Sequence, residues 1–323
     1  MTIIIEFLNA KTFISNLDSF QKFHTPALES STPTMLTTDE ILRKVKELEI
    51  TSKKITTHLF TGEYHSAFKG KGMSFREVRE YYAGDDVRFI DWNVSARFSH
   101  PFTKVFEEER ELTVYLLVDI SASNLFGTVN SRKRDILTEI GAVLTFSAIN
   151  NNDKVGAIFF SDKIEKYIPP KKGRQHALYI VRQLLTAEPV GKSTNMEEAI
   201  KFFNKASHQK SIAFLLSDFV DAVYENDLKV IGGRHDVIGL RIYDKMDMQL
   251  PEAGLLQVQD LETGKQQWID SNDAMVQYTY KQRFMQQSEL CKNYFRKAGA
   301  DLLHIRTDED YVKILQQFFI KRS

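Results

Sequence analysis

The sequence predicts an α/β protein with a mostly parallel sheet that helices cover on both faces. Val114–Val118 and Ile212–Leu216 are continuous apolar runs bounded by polar residues, which is typical of strands buried on both faces. Helical patterns such as those at 131–150 and 274–298 alternate with the strands, as in parallel sheets. The chain has 323 residues, 42% of them hydrophobic and 27% charged, an ordinary globular composition.

The first 34 residues are expected to stand apart from the folded chain. Residues 29–34 form a polar linker, and no basic segment precedes the short apolar run at 3–5, so a signal peptide is not predicted. After Met35, Asp39 and two threonines are capping residues for an amphipathic helix with apolar residues at Ile41, Val45 and Leu48. We therefore expect residues 1–34 to be disordered or an over-called start.

Residues 62–110, the clasp segment, alternate charges with large apolar groups. The arginines Arg79, Arg88 and Arg97 could pair with Asp85, Asp86 and Asp91. The apolar residues Phe89, Ile90 and Trp92 are expected to anchor the segment. We thus interpret residues 35–110 as a helix and clasp segment packed on a main domain at 111–323. A binding surface beside the site described below is the alternative.

The main domain shows strands and helices in alternation. Strands are predicted at 155–160, 164–168, 237–242 and 302–305, besides the two apolar runs, and a hairpin at 255–260 and 266–269. Helices are predicted at 131–150, 175–185, 195–206, 274–298 and 309–319. Pro169, Pro170 and Gly173 are expected to break the chain.

The strand at 114–118 is followed at once by Asp119, Ser121 and Ser123. Ligands bind at the carboxyl edge of an open α/β sheet, where these residues would lie. One carboxylate and two hydroxyls are oxygen donors of the kind that Mg²⁺ accepts. The alternative is that the two serines only satisfy the backbone of their loop.

Two further stretches extend this pattern. Asp218 follows the strand at 212–216, and Thr194 lies in a loop that begins with Gly191. Asp-x-Ser-x-Ser, then a Thr, then Ser-Asp resembles the metal-ion-dependent adhesion site (MIDAS) of von Willebrand factor A (vWA) domains. The resemblance implies a vWA-like, Rossmann-like fold and a site for Mg²⁺ or Mn²⁺ formed by Asp119, Ser121, Ser123, Thr194 and Asp218. It also implies hydroxyl ligands, aspartates that hold bound waters, and a position left for a partner's carboxylate. Thr194-x-x-Glu197 is in addition a capping box, a role compatible with the first.

The clasp segment carries a second resemblance. Phe75-x-x-Val-Arg-x-Tyr81, Gly84-Asp-Asp-Val-Arg88, Ile90-Asp-Trp92, Ser95-Ala-Arg97 and Glu109-Arg-Glu-Leu112 resemble the "domain of unknown function 58" family. This likeness runs from about Met35 to the C-terminus. It implies an association with MoxR-type AAA+ ATPases, and hence an adaptor that acts in assembly or maturation of other proteins.

Composition and motifs narrow the function further. The net charge is +0, which gives no indication of nucleic-acid binding, and no apolar run approaches the ~20 residues of a membrane span. One cysteine, Cys291, suits a reducing compartment, so a cytoplasmic protein is expected. We expect an interaction module and not an enzyme. The alternative is a haloacid-dehalogenase-like, metal-dependent phosphotransferase with Asp119 as nucleophile, although Ser121 stands where its second aspartate would be needed. No phosphate-binding P-loop motif occurs.

Overall fold

The computed structural model describes most of the chain from residue 38 onward. The described ranges are 38–59, 74–98, 100–107, 112–125, 133–191, 193–220, 224–259 and 266–322. The predicted linker and start at 1–34, and the first part of the clasp segment, lie outside them.

Helices and strands alternate along the main domain, as predicted. The helices are α1 (Thr38–Leu59), α2 (Trp92–Phe98), α3 (Lys133–Asn150), α4 (Arg174–Thr186), α5 (Met196–Ala206), α6 (Glu225–Arg234), α7 (Lys245–Met248), α8 (Ala274–Ala298) and α9 (Tyr311–Arg322). The strands are β1 (Ser74–Glu80), β2 (Phe102–Glu107), β3 (Thr113–Asp119), β4 (Lys154–Phe160), β5 (Ile164–Lys171), β6 (Ile212–Ser217), β7 (Asp236–Tyr243), β8 (Leu255–Gln259), β9 (Gln266–Asp270) and β10 (Asp301–Arg306).

Six strands form the central sheet in the order β10-β7-β6-β3-β4-β5. All neighbours are parallel except β4 and β5, which are antiparallel. In the order of the chain this arrangement is 3-2-1-4-5-6, the doubly wound order, in which the chain changes direction between β3 and β6. The predicted fold class, an α/β, vWA-like sheet that is mostly parallel, is confirmed.

Strand β3 lies in the middle of the sheet, and its apolar run supplies both faces of the core. Val114, Leu116 and Val118 pack with α3, α4 and α9, whereas Tyr115 and Leu117 pack with α5, α6 and α8. A strand buried on both faces needs this continuous apolar sequence, because no side chain reaches water. The polar residues that follow are therefore brought to the carboxyl edge of the sheet.

The edge strand β5 differs from the prediction. It continues through Pro169 and Pro170 to Lys171, where a break is predicted. Proline cannot donate a backbone hydrogen bond, but an edge strand has one side that needs no donor. Helix α8 spans Ala274–Ala298 as predicted, and Asp273 caps it by accepting from the backbone N–H of Met275 and Val276.

The described part of the clasp segment is a hairpin unit made of β1, β2 and α2. Two arginine pairs form as predicted: Arg79 with Asp85 at 2.8 Å, and Arg88 with Asp86 at 2.6 Å. Asp91 pairs instead with Lys104 at 3.3 Å, and it caps α2 through the backbone N–H of Asn93 and Val94.

The expected anchoring role of Trp92 is wrong, because its surface is 70% exposed. Trp92 and Val87 line an open apolar cleft of about 550 Å³ on the hairpin unit. Whether the clasp segment packs on the main domain as one unit stays a prediction.

Helix α1 lies on the outer side of α3 and α4. Val45 is buried among Phe146 of α3 and Val181 of α4. Arg174 of α4 makes a bidentate ion pair with Glu49, 2.9 Å between Nη2 and Oε2. No helix within the described residues is long and apolar enough to cross a membrane.

Candidate metal centre

The candidate site lies where the doubly wound sheet changes direction. Strands β3 and β6 are neighbours, and their carboxyl ends bring Asp119 and Ser217 together. Ligands of open α/β sheets bind in the crevice at this point. The position of the site therefore follows from the strand order.

Asp119 is the buried centre of the site. It is 1% exposed, and both carboxylate oxygens accept hydrogen bonds: Oδ1 from the backbone N–H of Ser121 at 2.9 Å and Oδ2 from the Ser217 hydroxyl at 2.6 Å. The Asn124 side chain donates to the Asp119 backbone oxygen at 3.2 Å. These contacts fix the orientation of the carboxylate and of the loop that follows β3.

Three hydroxyl groups meet beside Asp119. The Oγ atoms of Ser121 and Ser123 are 2.9 Å apart, and Thr194 Oγ1 donates to Ser121 Oγ at 2.7 Å. The two serines are fully buried, whereas Thr194 is partly exposed. Thr194 is 73 residues from Ser121, so only the fold brings this set together.

The loop that carries Thr194 is held by a second set of contacts. Glu165 Oε1 accepts from the backbone N–H of Val190 at 3.0 Å, from that of Gly191 at 2.9 Å and from the Ser161 hydroxyl at 2.7 Å. A Cβ at Gly191 would lie 1.8 Å from Asp162 Oδ1 and 2.5 Å from Ser161 Oγ, so a side chain there would require both neighbours to move. This is a physical reason for glycine in the loop.

The predicted capping box at Thr194 does not form. The N-cap of α5 is Asn195, whose side chain accepts from the backbone N–H of Glu198 at 3.0 Å. Asn195, one residue after Thr194, therefore supplies the acceptor at the start of α5. The Thr194 hydroxyl is therefore directed to Ser121.

Asp218 is buried one residue beyond Ser217, and a lysine accompanies it. Asp218 Oδ1 accepts from the backbone N–H of Val220 at 3.3 Å. Asp218 Oδ2 lies 3.4 Å from Lys133 Nζ, and the Arg241 Nε–H donates to the Asp218 backbone oxygen at 3.1 Å. Asp218 thus lies between two buried basic side chains.

Lys133 connects this aspartate to another part of the chain. Its Nζ lies 2.9 Å from Asp247 Oδ2, and the lysine side chain is 1% exposed. Asp247 belongs to the capping box of α7, in which its side chain accepts from the backbone N–H of Asp244 at 2.7 Å. The short helix after β7 therefore holds a carboxylate against the site.

Burial raises the pKa of two acidic side chains in this region. Burial, and then the charge of Asp218, raise the pKa of Asp119 to about 6, although hydrogen bonds from Ser121 and Ser217 oppose that shift. Burial also raises the pKa of Asp247, against the opposing effect of Lys133. Both shifts indicate that the site disfavours further negative charge, as expected when carboxylates share a poorly solvated region.

The oxygen geometry fits a small divalent cation. Oxygens in neighbouring octahedral positions around Mg²⁺, at ~2.1 Å from the ion, are about 3 Å apart. The two hydroxyl separations of 2.9 and 2.7 Å are hydrogen bonds, and they are also compatible with this value. Among the residues that the structure describes, no group of three or more His, Cys, Asp or Glu side chains could hold a metal. The oxygen donors that converge here are the hydroxyls of Ser121, Ser123 and Thr194.

The structure brings together all five residues predicted from the sequence, and it adds three that were missed. Ser217 and Lys133 contact members of the predicted set, and Asp247 contacts Lys133. Ser217 precedes Asp218 in the Ser-Asp pair and could have been included on that ground. The residues Lys133, Ile136, Leu137 and Ile140 share one face of α3, so a lysine on an apolar face was a sequence signal for a buried charge.

Two solved structures have partial similarity to this chain. The conserved hypothetical protein BatB from Bacteroides thetaiotaomicron has a TM-score of 0.45 at 15% identity, over 65% of this chain and 98% of that one. Proximal thread matrix protein 1 from the mussel byssus, described with a zinc occupied MIDAS motif, has a TM-score of 0.38 at 15% identity, over 66% and 48%. Both TM-scores are below 0.5, so the fold assignment rests on the strand order above.

The sequence relatives range from one that matches most of the chain to one that matches a third of it. The uncharacterized protein Rv1480 of Mycobacterium tuberculosis is 29% identical over 297 residues, which are 90% of this chain and 93% of that protein. The uncharacterized protein YeaD of Bacillus subtilis is 32% identical over 110 residues, 34% of this chain and 25% of that one. A family model described as "Protein of unknown function DUF58" matches residues 77–290, which is more than half of the chain. The chain therefore belongs to the DUF58 family.

Proposed function

We propose that this protein is a metal-dependent protein-interaction module that binds Mg²⁺ or Mn²⁺ through Ser121, Ser123 and Thr194. The observation that carries the proposal is the convergence of three hydroxyl oxygens beside Asp119 at the carboxyl edge of the sheet. Asp119 and Asp218 would hold waters of the ion and supply negative charge. The metal would offer a partner's carboxylate a ligand position, and no chemical step is required of it.

The charge of the surrounding groups supports a divalent ion. Four buried or mostly buried carboxylates gather at this edge, and two buried basic side chains, Lys133 and Arg241, accompany them. The carboxylates are Asp119, Asp218, Asp244 and Asp247. If all are ionised, these carboxylates outnumber the two basic side chains, which favours an added cation. Buried charge without such balance is costly.

The phosphotransferase alternative is less well supported. A nucleophilic aspartate needs a free oxygen and an acid nearby. Here both Asp119 oxygens accept hydrogen bonds within the protein, and the residue two positions on is Ser121. We therefore infer a binding role and not a covalent one for Asp119.

The partner is proposed to present an Asp or Glu side chain, and its source is proposed to be a MoxR-type AAA+ ATPase. The first half follows from chemistry: hard divalent ions prefer oxygen, and neutral hydroxyl ligands leave the ion attractive to an anionic one. The second half rests on the family resemblance. An adaptor role in assembly or maturation of other proteins depends on both.

A titration of the full chain tests the metal site. Isothermal calorimetry with Mg²⁺ or Mn²⁺ is expected to give one ion per chain for the wild type, and binding weakened at least about tenfold in Ser121→Ala/Thr194→Ala. Each substitution removes one of the proposed ligands. The matched control is Ser207→Ala/Ser211→Ala, because these Oγ atoms also form a buried pair, 2.8 Å apart, before β6 at the opposite end of that strand.

Equal affinity in the wild type and the Ser121/Thr194 variant would reject this site. An equally large loss of metal affinity in the control variant would mean that the loss comes from general damage to the fold. Each buried group that loses its hydrogen-bond partner through these substitutions lowers the free energy of unfolding by about 1–3 kcal/mol. Both variants therefore need a melting curve to show that they are folded.

A second experiment tests the partner. The MoxR-type ATPase of the same organism is passed over immobilised wild type and over the Ser121/Thr194 variant, with Mg²⁺ and with EDTA. Retention only on the wild type with Mg²⁺ supports a metal-bridged contact. Retention that is unaffected by EDTA would show that another surface makes the contact.

A further inference from the structure

Lys133 is a buried basic group to which the proposed metal role assigns no specific task. It is the first residue of α3 and its side chain is 1% exposed. Lysine is rarely buried unless it is paired, and a cation in the first turn of a helix is opposed by the positive end of the helix dipole. Two unfavourable terms act on one ammonium group, so its partners must compensate for both.

The partners come from distant parts of the sequence. Lys133 Nζ lies 3.4 Å from Asp218 Oδ2, a member of the proposed site, and 2.9 Å from Asp247 Oδ2 of the α7 cap. The contact with Asp247 is the shorter of the two. The order Asp218–Lys133–Asp247 therefore links the carboxyl end of β6 to the segment that follows β7.

We propose that Lys133 is the resident counter-ion of the metal site, which positions Asp218 and, with Asp247, sets the charge that a divalent cation meets. This inference rests on the proposed function. Lys133 is a positioning residue, since its ammonium contacts a carboxylate of the site and not the ion. Asp247 weakens the effect of the Lys133 charge on the metal. Its carboxylate, 2.9 Å from the ammonium, offsets the repulsion between the ammonium and an incoming cation.

We expect a substitution at Lys133 to reverse the effect that a substitution at Asp247 has on metal affinity. Asp247→Asn removes one negative charge but keeps an oxygen that can accept from the backbone N–H of Asp244, so the α7 cap survives. The Lys133 ammonium then repels an incoming cation, and no carboxylate at position 247 offsets that repulsion. Removing both charges in Lys133→Met/Asp247→Asn returns the net charge of the site to that of the wild type.

The experiment titrates the full chain with Mn²⁺ alone by calorimetry. We expect Asp247→Asn to bind Mn²⁺ about tenfold more weakly than the wild type, and Lys133→Met/Asp247→Asn to bind within about threefold of it. The matched control is the exposed pair Lys292–Glu289 on α8, at 2.8 Å. Glu289→Gln and Lys292→Met/Glu289→Gln carry the same charge changes and are expected to leave the affinity unchanged.

Melting curves in EDTA give a second measurement that needs no metal. Lys133→Met alone leaves two buried carboxylates without their cation, so its Tm should fall more than that of Lys133→Met/Asp247→Asn. A purely space-filling lysine would give equal losses. Equal losses would overturn the counter-ion role.

The outcomes separate this inference from the proposed function. A wild type that binds no Mn²⁺ would reject the metal site and the charge-setting role with it. A wild type that binds Mn²⁺ with unchanged affinity in Asp247→Asn would reject only the role of Lys133. Weakening in Asp247→Asn that the second substitution does not recover would point to damage to α7, and it too would overturn the inference.

Discussion

Lys133 and Arg88 are both basic residues paired with aspartate, yet they occupy opposite environments. Lys133 and Asp218 have side chains that are 1% and 3% exposed, and they join elements 85 residues apart. Arg88 is 82% exposed and pairs with Asp86, two residues away, at 2.6 Å. The first pair depends on the whole fold, whereas the second forms within one turn of chain.

This difference determines what each pair can contribute. An exposed ion pair gains little, because water and salt already solvate both charges. A buried pair need not add stability over an apolar replacement, but loss of one partner leaves an uncompensated charge. The site cluster is therefore fragile to single substitutions, and the hairpin unit is tolerant of them.

The largest effect is expected for Lys133→Met. It leaves Asp218 and Asp247 without their cation in a buried region, so we expect a loss of about 3–5 kcal/mol in the free energy of unfolding. Urea unfolding in EDTA measures it. A loss below about 1 kcal/mol would show that the two carboxylates find other compensation, and that burial does not distinguish this pair from the exposed one.

A buried histidine that packs on an aromatic ring and accepts from a backbone N–H sharpens the comparison. His235 precedes β7, is 5% exposed and packs against the Phe203 ring at 4.7 Å. The Ser211 N–H donates to its Nδ1 at 3.3 Å. Burial, and then the charge of Arg234, lower the pKa of His235 to about 4.

The sign of its effect on stability is opposite to that of the buried acids. Between pH 6.5 and about 4 the unfolded chain binds a proton at His235 that the folded chain does not, so stability falls as the pH falls. The slope for one proton is at most about 1.4 kcal/mol per pH unit. The raised pKa of Asp119 acts the other way, since the folded chain binds the extra proton below about pH 6.

We expect His235→Gln to lose stability less steeply than the wild type as the pH is lowered from 6.5 to 4. Urea unfolding at several pH values in EDTA gives the slope. His208→Gln is the matched control, because His208 is exposed and lies in the turn before β6. An unchanged slope in His235→Gln would mean that the buried imidazole does not control the acid side of the profile.

The sequence predicted the parts of the structure that are encoded locally. The apolar runs of β3 and β6 placed the strands, and the strand ends placed Asp119 and Asp218 at one edge. Helix α8 has a capping aspartate and a glycine after its last residue, so both of its ends could be predicted. Short-range chemistry was sufficient in each case.

Contacts between residues far apart in the chain could not be predicted from local sequence. Thr194 and Asn195 are both competent helix caps, and the tertiary contact of Thr194 with Ser121 accompanies the choice of Asn195. The partners of Lys133 lie 85 and 114 residues away, so spacing along the chain could not reveal them. The exposure of Trp92 could not be predicted either, because an aromatic residue among charges fits an anchor and a surface cleft equally well.

The smallest effect is expected in the hairpin unit. Arg88→Ala removes a pair in which the arginine is 82% exposed, so we expect a far smaller change in the free energy of unfolding than in Lys133→Met. The backbone contact from the Arg88 N–H to Asp86 Oδ1, 3.0 Å long, survives the substitution and keeps the turn. The pair should also weaken with salt, so wild type and variant should converge at 1 M NaCl. Urea unfolding at 0.1 and 1 M NaCl measures both effects, with Arg97→Ala, another exposed arginine of the hairpin unit, as the control. A loss of several kcal/mol in Arg88→Ala alone would mean that this surface is covered in the folded protein, and the contrast with Lys133 would then disappear.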